Sequence, residues 1–112
     1  MPQARFSGLL VPAVTPFQRD LEPDADAFVA ICRWLLDQGA HGLAVFGTTS
    51  EANSLSLAER QRLLERLVQD GVPAEVLLPG TGVSALPEAV ALTRHAVSLG
   101  CGGVLMLPPF YY

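Results

Sequence analysis

The stretch Gly42-Leu43-Ala44-Val45-Phe46-Gly47-Thr48-Thr49 sets the pattern for the whole chain. An apolar run comes first, and a glycine and two hydroxyl side chains follow it. A run that is apolar throughout, instead of alternating with polar residues, is typical of a strand covered on both faces, as in a parallel sheet. The stretch therefore predicts a buried parallel strand with a polar turn at its carboxyl end.

The same apolar pattern occurs three more times along the chain, in residues 9–14, 75–78 and 103–107. The four runs start about 33, 33 and 28 residues apart, which is a normal length for one strand followed by one helix. Connections of this kind are almost always right-handed and place consecutive strands parallel to one another. The sequence therefore predicts the order β-α-β-α-β-α-β with parallel strands.

Helical patterns fill the three intervals between these runs. The first is predicted from about Pro23 to Gln38. The second opens with a capping box, in which Ser56 and Glu59 satisfy each other's free amides, and the third opens near Ser84. A glycine ends each helix. The predicted buried faces follow helical spacing and consist of Phe28, Ile31, Cys32 and Leu35, then Leu57, Leu64, Leu67 and Val68, and finally Ala89, Leu92, Ala96 and Leu99.

Two architectures begin with these four units, a doubly wound sheet and the first half of a (β/α)₈ barrel. The chain has 112 residues, which is at most one domain, whereas a barrel needs roughly 250. Half of the residues are hydrophobic and only 16% are charged, against about 25% in an ordinary domain. Such a composition suits a piece that buries more surface than a free domain of this size.

Several classes of protein are excluded by composition. No apolar run approaches the roughly 18 residues of a membrane span, and Met1-Pro2-Gln3-Ala4-Arg5 lacks the features of a signal peptide. The net charge is −4 and no stripe of arginines is interleaved with aromatics, so nucleic acid is not an expected partner. Cys32 and Cys101 lie in apolar contexts, and we expect reduced thiols in a cytoplasmic protein.

Cofactor and metal sites are not expected either. The two histidines, His41 and His95, are isolated in sequence, so each is interpreted as a surface or packing residue. The segment Gly80-Thr81-Gly82-Val83-Ser84-Ala85 fits the dinucleotide-binding pattern only nominally. The acid that should follow about 20 residues later is missing, because no acidic residue occurs after Glu88.

Chemistry in both architectures is expected at the carboxyl ends of the strands. Gly47-Thr48-Thr49 can form a turn whose amides and hydroxyls hold a small anion such as a carboxylate, or it can be a plain connection. Glu51 is interpreted as structural. Tyr111 is interpreted as a packing residue, whereas Tyr112 can either relay a proton or pack at an interface.

Four ordered motifs together resemble the dihydrodipicolinate synthase / N-acetylneuraminate lyase family of class I aldolases. They are Gly8-Leu9-Leu10-Val11-Pro12-Ala13-Val14-Thr15-Pro16-Phe17, Gly47-Thr48-Thr49-Ser50-Glu51 with Leu55, Ser56 and Glu59, Gly80-Thr81-Gly82, and Pro108-Pro109-Phe110-Tyr111-Tyr112. The resemblance implies that residues 1–112 are the amino-terminal half of a single (β/α)₈-barrel domain, namely its first four βα units. It also implies a homodimeric or homotetrameric lyase without a cofactor.

The resemblance further implies a reaction and its residues. The substrates would be pyruvate or another 2-keto acid, bound as a Schiff base, together with an aldehyde or a sugar acid. Thr48 and Thr49 would bind the keto-acid carboxylate. Thr48 would also belong to a hydroxyl relay, with Tyr112 reaching the neighbouring subunit's site.

Three departures from the family pattern qualify these expectations. Ser50 stands where the family commonly has glycine, and Ala52-Asn53-Ser54-Leu55 also differs. Leu57 and Arg60 replace polar residues of lysine-inhibited members, so we expect no lysine feedback. The family's Schiff-base lysine lies on the sixth strand, and this chain contains no lysine at all. We therefore expect residues 1–112 alone to be inactive. The alternatives to a dihydrodipicolinate synthase-like lyase are a non-catalytic half-barrel module and a sugar-acid aldolase or dehydratase of the same family.

Overall fold

Residues 6–108 are described by a computed structural model. Strands β1 (Leu10–Pro12) and β2 (Gly42–Ala44) pair in parallel, with Val11 opposite Leu43. Both strands are shorter than the apolar runs that predict them. The parallel direction follows the prediction from the βα spacing.

A third extended segment, residues 77–81, continues the parallel arrangement beside β2. The amide of Leu78 donates to the carbonyl of Leu43 at 2.9 Å, and the amide of Gly80 donates to that of Val45 at 2.7 Å. The apolar run 75–78 predicts a strand from residue 75, but the extended segment begins only at residue 77. Residues Ala74–Val76 form a 3-10 helix instead, because the turn that begins at Pro73 engages the next amides in local hydrogen bonds.

A fourth extended segment, residues 102–105, lies beside the third. The amide of Gly102 donates to the carbonyl of Leu77 at 3.1 Å, and the amide of Leu105 donates to that of Pro79 at 2.9 Å. The bridges that join these segments are parallel. The four extended segments therefore lie side by side in chain order, as a partial α/β sheet.

Three helices of 13 residues connect the extended segments: α1 (Ala25–Asp37), α2 (Leu57–Gln69) and α3 (Leu86–Ser98). The predicted capping box of α2 is confirmed, since Ser56 accepts from the Glu59 amide at 3.1 Å and Glu59 accepts from the Ser56 amide at 2.8 Å. Helix α1 begins after Asp24, whose carboxylate caps the Ala27 amide. No helix within residues 6–108 has the length and apolarity needed to cross a bilayer.

The core lies between the helices and the sheet. Helix α1 packs against α2, and α2 packs against α3. Each predicted helical face is buried in part. The confirmed members are Phe28, Cys32, Leu64, Leu67, Ala89, Leu92 and Ala96. The remaining members are only half-buried: Ile31, Leu35, Leu57, Val68 and Leu99.

Large apolar side chains remain exposed along the extended segments. They are Leu9, Val14, Leu105, Met106 and Leu107. Isolated exposed apolar residues are ordinary in folded proteins, but a group of them next to a sheet marks a surface that another element covers.

Candidate functional site

A cavity of about 510 Å³ opens at the carboxyl ends of the extended segments. Residues that follow β2, the third segment and the fourth segment all contribute to its wall. In α/β folds with parallel strands, ligands bind at this end of the sheet because the loops there converge. The cavity is therefore the candidate site. All three residues of the predicted turn, Gly47, Thr48 and Thr49, line it.

The turn at residues 47–52 is closed by its own backbone. The carbonyl of Gly47 accepts from the amides of Ser50 and Ala52, both at 3.1 Å, and the Glu51 amide donates to the Thr48 carbonyl at 3.0 Å. Thr48 and Thr49 are exposed on the cavity wall. The turn thus presents two hydroxyl side chains next to each other from a rigid backbone, which is an arrangement that can hold a carboxylate.

The residue just before the turn has an unusual backbone conformation. Phe46 is 2% exposed and has φ +59°, a left-handed value that is rare for a bulky side chain. Its ring packs against that of Phe28 in the core, with ring centroids 5.6 Å apart. Such conformations concentrate at functional sites, where packing compensates for their cost. Nothing in the sequence signals the conformation of Phe46.

Glu51 also has a left-handed backbone, with φ +60°. It precedes the 3-10 helix Ala52–Ser54, and its side chain makes no capping hydrogen bond there. The interpretation of Glu51 as a structural residue therefore rests on its backbone, which reverses the chain, and not on its carboxylate.

Arg60 is a site residue to which sequence analysis assigns no role in binding. It lies on α2 and is only 4% exposed, and its Nη2 donates to the Ala52 carbonyl at 2.8 Å. Among the described residues that line the cavity, Arg60 is the one with a formal charge. Its guanidinium brings a positive charge to the wall that carries Thr48 and Thr49, and a positive charge favours an anionic ligand, although the chain as a whole is acidic. Helical spacing places Arg60 on the buried face of α2, but an arginine there is normally interpreted as exposed.

Neither of the two histidines lines the cavity. Tyr112 and Tyr111 are outside the described residues. The amide of Leu9 donates to Nδ1 of His41 at 2.8 Å, and Nε2 of His95 lies 2.8 Å from Oε1 of Glu65. Within residues 6–108, no three side chains of histidine, cysteine, aspartate or glutamate converge into a metal site.

The two cysteines are free thiols outside the cavity wall. Burial raises the pKa of the Cys32 thiol to about 12. Burial likewise raises the pKa of Cys101. Because the thiolate is the reactive form, neither residue is suited to nucleophilic chemistry near neutral pH.

Comparison with known proteins agrees with this geometry. A family model described as the dihydrodipicolinate synthetase family matches residues 5–112. The chain belongs to this family. The resemblance of the four motifs is thereby confirmed, and the match covers almost the entire chain.

Curated relatives of this family are much longer than the chain. It is 40% identical over 106 residues to 4-hydroxy-tetrahydrodipicolinate synthase from Synechococcus sp. (strain WH7803), a match that covers 95% of this chain and 35% of the relative. The chain thus spans about a third of the length of such relatives.

Solved structures of the family superpose closely. The crystal structure of YagE, a prophage protein of the dihydrodipicolinic acid synthase family from E. coli K12, in complex with pyruvate, matches with TM-score 0.84 and 29% identity, covering 97% of this chain and 37% of that one. N-acetylneuraminate lyase from Fusobacterium nucleatum matches with TM-score 0.87 and 26% identity, covering 97% and 38%. The described fold is therefore shared by a family member solved with pyruvate and by a lyase.

Proposed function

We propose that the protein carrying this chain is a Schiff-base lyase that acts on pyruvate or another 2-keto acid, and that the cavity binds the carboxylate of that acid. One observation carries the proposal. Thr48 and Thr49 lie next to each other on a turn closed by backbone hydrogen bonds, and the cavity that they line is also lined by Arg60, which carries a positive charge. Hydroxyls, amides and a nearby cation are the groups that bind a carboxylate in proteins. A family relative that binds pyruvate supports the choice of ligand.

The proposed reaction requires a primary amine. The amine condenses with the keto carbonyl and releases water, and the resulting iminium accepts the electron pair of a neighbouring bond as that bond breaks. The chain has no lysine, so we propose that the amine belongs to residues beyond these 112. Thr48 and Tyr112 would relay protons, with Tyr112 reaching a neighbouring subunit of a homodimer or homotetramer.

The same proposal assigns residues 1–112 to the amino-terminal half of a (β/α)₈ barrel. The parallel segments in chain order support it, and so do the apolar side chains exposed along them, including Val14 and Met106. A second set of strands would cover these side chains and complete the cavity. Free thiols at Cys32 and Cys101 support a cytoplasmic location.

Two directions of the reaction remain within this proposal. Addition of pyruvate to an aldehyde is favoured by the 40% identity to a synthase. Cleavage of a sugar acid is favoured by the close superposition on N-acetylneuraminate lyase. Both use the same carboxylate subsite, so Thr48 and Thr49 have the same role in each.

Borohydride trapping with pyruvate tests the proposed function. The whole protein should acquire one reduced pyruvate adduct on a lysine outside residues 1–112. Thr49→Val should weaken pyruvate binding about tenfold or more, because it removes a hydroxyl from the turn. Thr93→Val, on the distant helix α3, is the matched control and should bind as the parent does. A whole protein that forms no adduct would instead favour the non-catalytic half-barrel module.

A further inference from the structure

Ser50 joins the candidate turn to the neighbouring strand. It is fully buried, and its hydroxyl donates to the carbonyl of Ala13, the residue that follows β1. Ala13 is itself 1% exposed, and its amide donates to the carbonyl of Ala44 in β2 at 3.1 Å. The hydrogen bond of Ser50 is therefore shielded from water. Its acceptor, the carbonyl of Ala13, belongs to a residue that is itself hydrogen-bonded to β2.

The same residue also closes the turn. The amide of Ser50 donates to the Gly47 carbonyl at 3.1 Å, so its backbone holds the start of the turn while its side chain holds β1. Thr48 and Thr49 lie between these two attachments. We propose that Ser50 is a positioning residue for 2-keto-acid binding, fastening the Thr48–Thr49 turn to β1; this inference rests on the proposed function.

The physical argument is preorganisation. Two threonines bind one carboxylate well only if the turn holds them at the spacing of its two oxygens, and a shift of about 1 Å costs much of the interaction. Without the Ser50 hydroxyl, the buried carbonyl of Ala13 loses this partner and the turn loses its attachment to β1.

A positioning role predicts a specific division of kinetic effects. The Ser50 hydroxyl is not among the groups that line the cavity, so it does not touch the reacting atoms. Its removal should weaken the binding of the keto acid in the ground state and the transition state alike. The KM for the keto acid should therefore rise while kcat stays nearly constant.

Pyruvate binding and turnover in the whole protein test the proposal with three variants. Ser50→Ala removes the hydroxyl, and Ser50→Cys keeps a weak donor of similar shape. Ser54→Ala is the matched control, because Ser54 is an exposed serine of the same loop that does not line the cavity. Amide hydrogen exchange of Thr48, Thr49 and Glu51 reports the rigidity of the turn without any ligand.

Ser50→Ala should raise the KM for pyruvate about tenfold, with kcat within about twofold, and should speed exchange of the turn amides. Ser50→Cys should fall between Ser50→Ala and the parent, and Ser54→Ala should match the parent. Equal KM and equal exchange in Ser50→Ala and Ser54→Ala would overturn the inference. A parent protein that binds no pyruvate would overturn the proposed function and, with it, the role of Ser50 in keto-acid binding. Faster exchange in Ser50→Ala would then still show that Ser50 fastens the turn to β1.

Discussion

The ring of Phe46 rests on the ring of Phe28, with centroids 5.6 Å apart and ring planes inclined by 31°. This contact connects the candidate site to helix α1, because the backbone of Phe46 leads directly into the turn that carries Thr48 and Thr49. Phe46 also has a left-handed backbone, and both rings are buried. Core packing thus supports a backbone conformation that an isolated strand end would not keep.

Phe28→Ala should lower the free energy of unfolding by about 3–5 kcal/mol, because it opens a cavity beneath Phe46. It should also weaken pyruvate binding, since the left-handed conformation loses its support. Denaturant unfolding and a pyruvate titration measure the two effects. Asp37→Ala, at the exposed end of the same helix, is the control and should change stability by less than about 0.5 kcal/mol. Unchanged binding in a folded Phe28→Ala protein would contradict the link between the two rings and the turn.

Arg60→Met should weaken pyruvate binding roughly fivefold to tenfold, because it removes the positive charge from the cavity wall and the hydrogen bond to the Ala52 carbonyl. Methionine keeps a long apolar side chain in the buried position, so the fold should persist. Arg62→Met removes an exposed arginine that does not line the cavity, and it should bind pyruvate as the parent does. Equal affinities in the two variants would exclude an electrostatic role for Arg60.

Gly80→Ala should destabilise the fold by at least about 2 kcal/mol. A Cβ atom at this position would lie 2.0 Å from the carbonyl oxygen of Phe46, which is backbone and cannot move aside. Gly47→Ala is the matched control on the same cavity, because its Cβ would meet nothing closer than 3.9 Å. Thermal unfolding should separate the two variants by several degrees, and similar midpoints would contradict the close approach of the two segments.

Cys32 should make the protein less stable as the pH rises. Burial raises the pKa of this thiol from 9.0 to about 12, so the unfolded chain loses its proton at lower pH than the folded one. Titration of this thiol leaves the free energy of unfolding unchanged below about pH 9. Above pH 9 it should lower that free energy by up to about 1.4 kcal/mol per pH unit, until about pH 12. Denaturant unfolding on both sides of pH 9 measures the slope. Cys32→Ala should flatten it, and an equally steep slope in that variant would assign the loss to other groups.

Most of the fold follows from short-range patterns in the sequence. The Ser56 and Glu59 capping box fixes the start of α2 within one turn, and the apolar runs identify β2 and its parallel partner β1. The prediction fails where local chemistry competes with an apolar run. Glu75 and Val76 belong to such a run, yet Pro73 initiates a 3-10 turn in which the amides of Val76 and Leu77 donate to local carbonyls.

The site is predictable only in part. Gly47, Thr48 and Thr49 can be found because they directly follow the apolar run 42–46, and parallel strands gather their carboxyl ends at one edge. The contributions of Ser50 and Arg60 depend on contacts with Ala13 and Ala52 that span 37 and 8 residues. Both side chains are buried by tertiary packing. Helical spacing places Arg60 on the buried face of α2, but it does not reveal the partner of its guanidinium, and no local pattern reveals the burial of Ser50.

The arrangement of the four extended segments in chain order has a consequence for biosynthesis. The contacts that Ala13, Phe28 and Arg60 make with the turn and its flanking residues all lie within the first 60 residues. A chain leaves the ribosome from its amino terminus, and segments that pair with their nearest predecessors can dock as they emerge. The turn that holds the two threonines can therefore be assembled while the remainder of the polypeptide is still being translated.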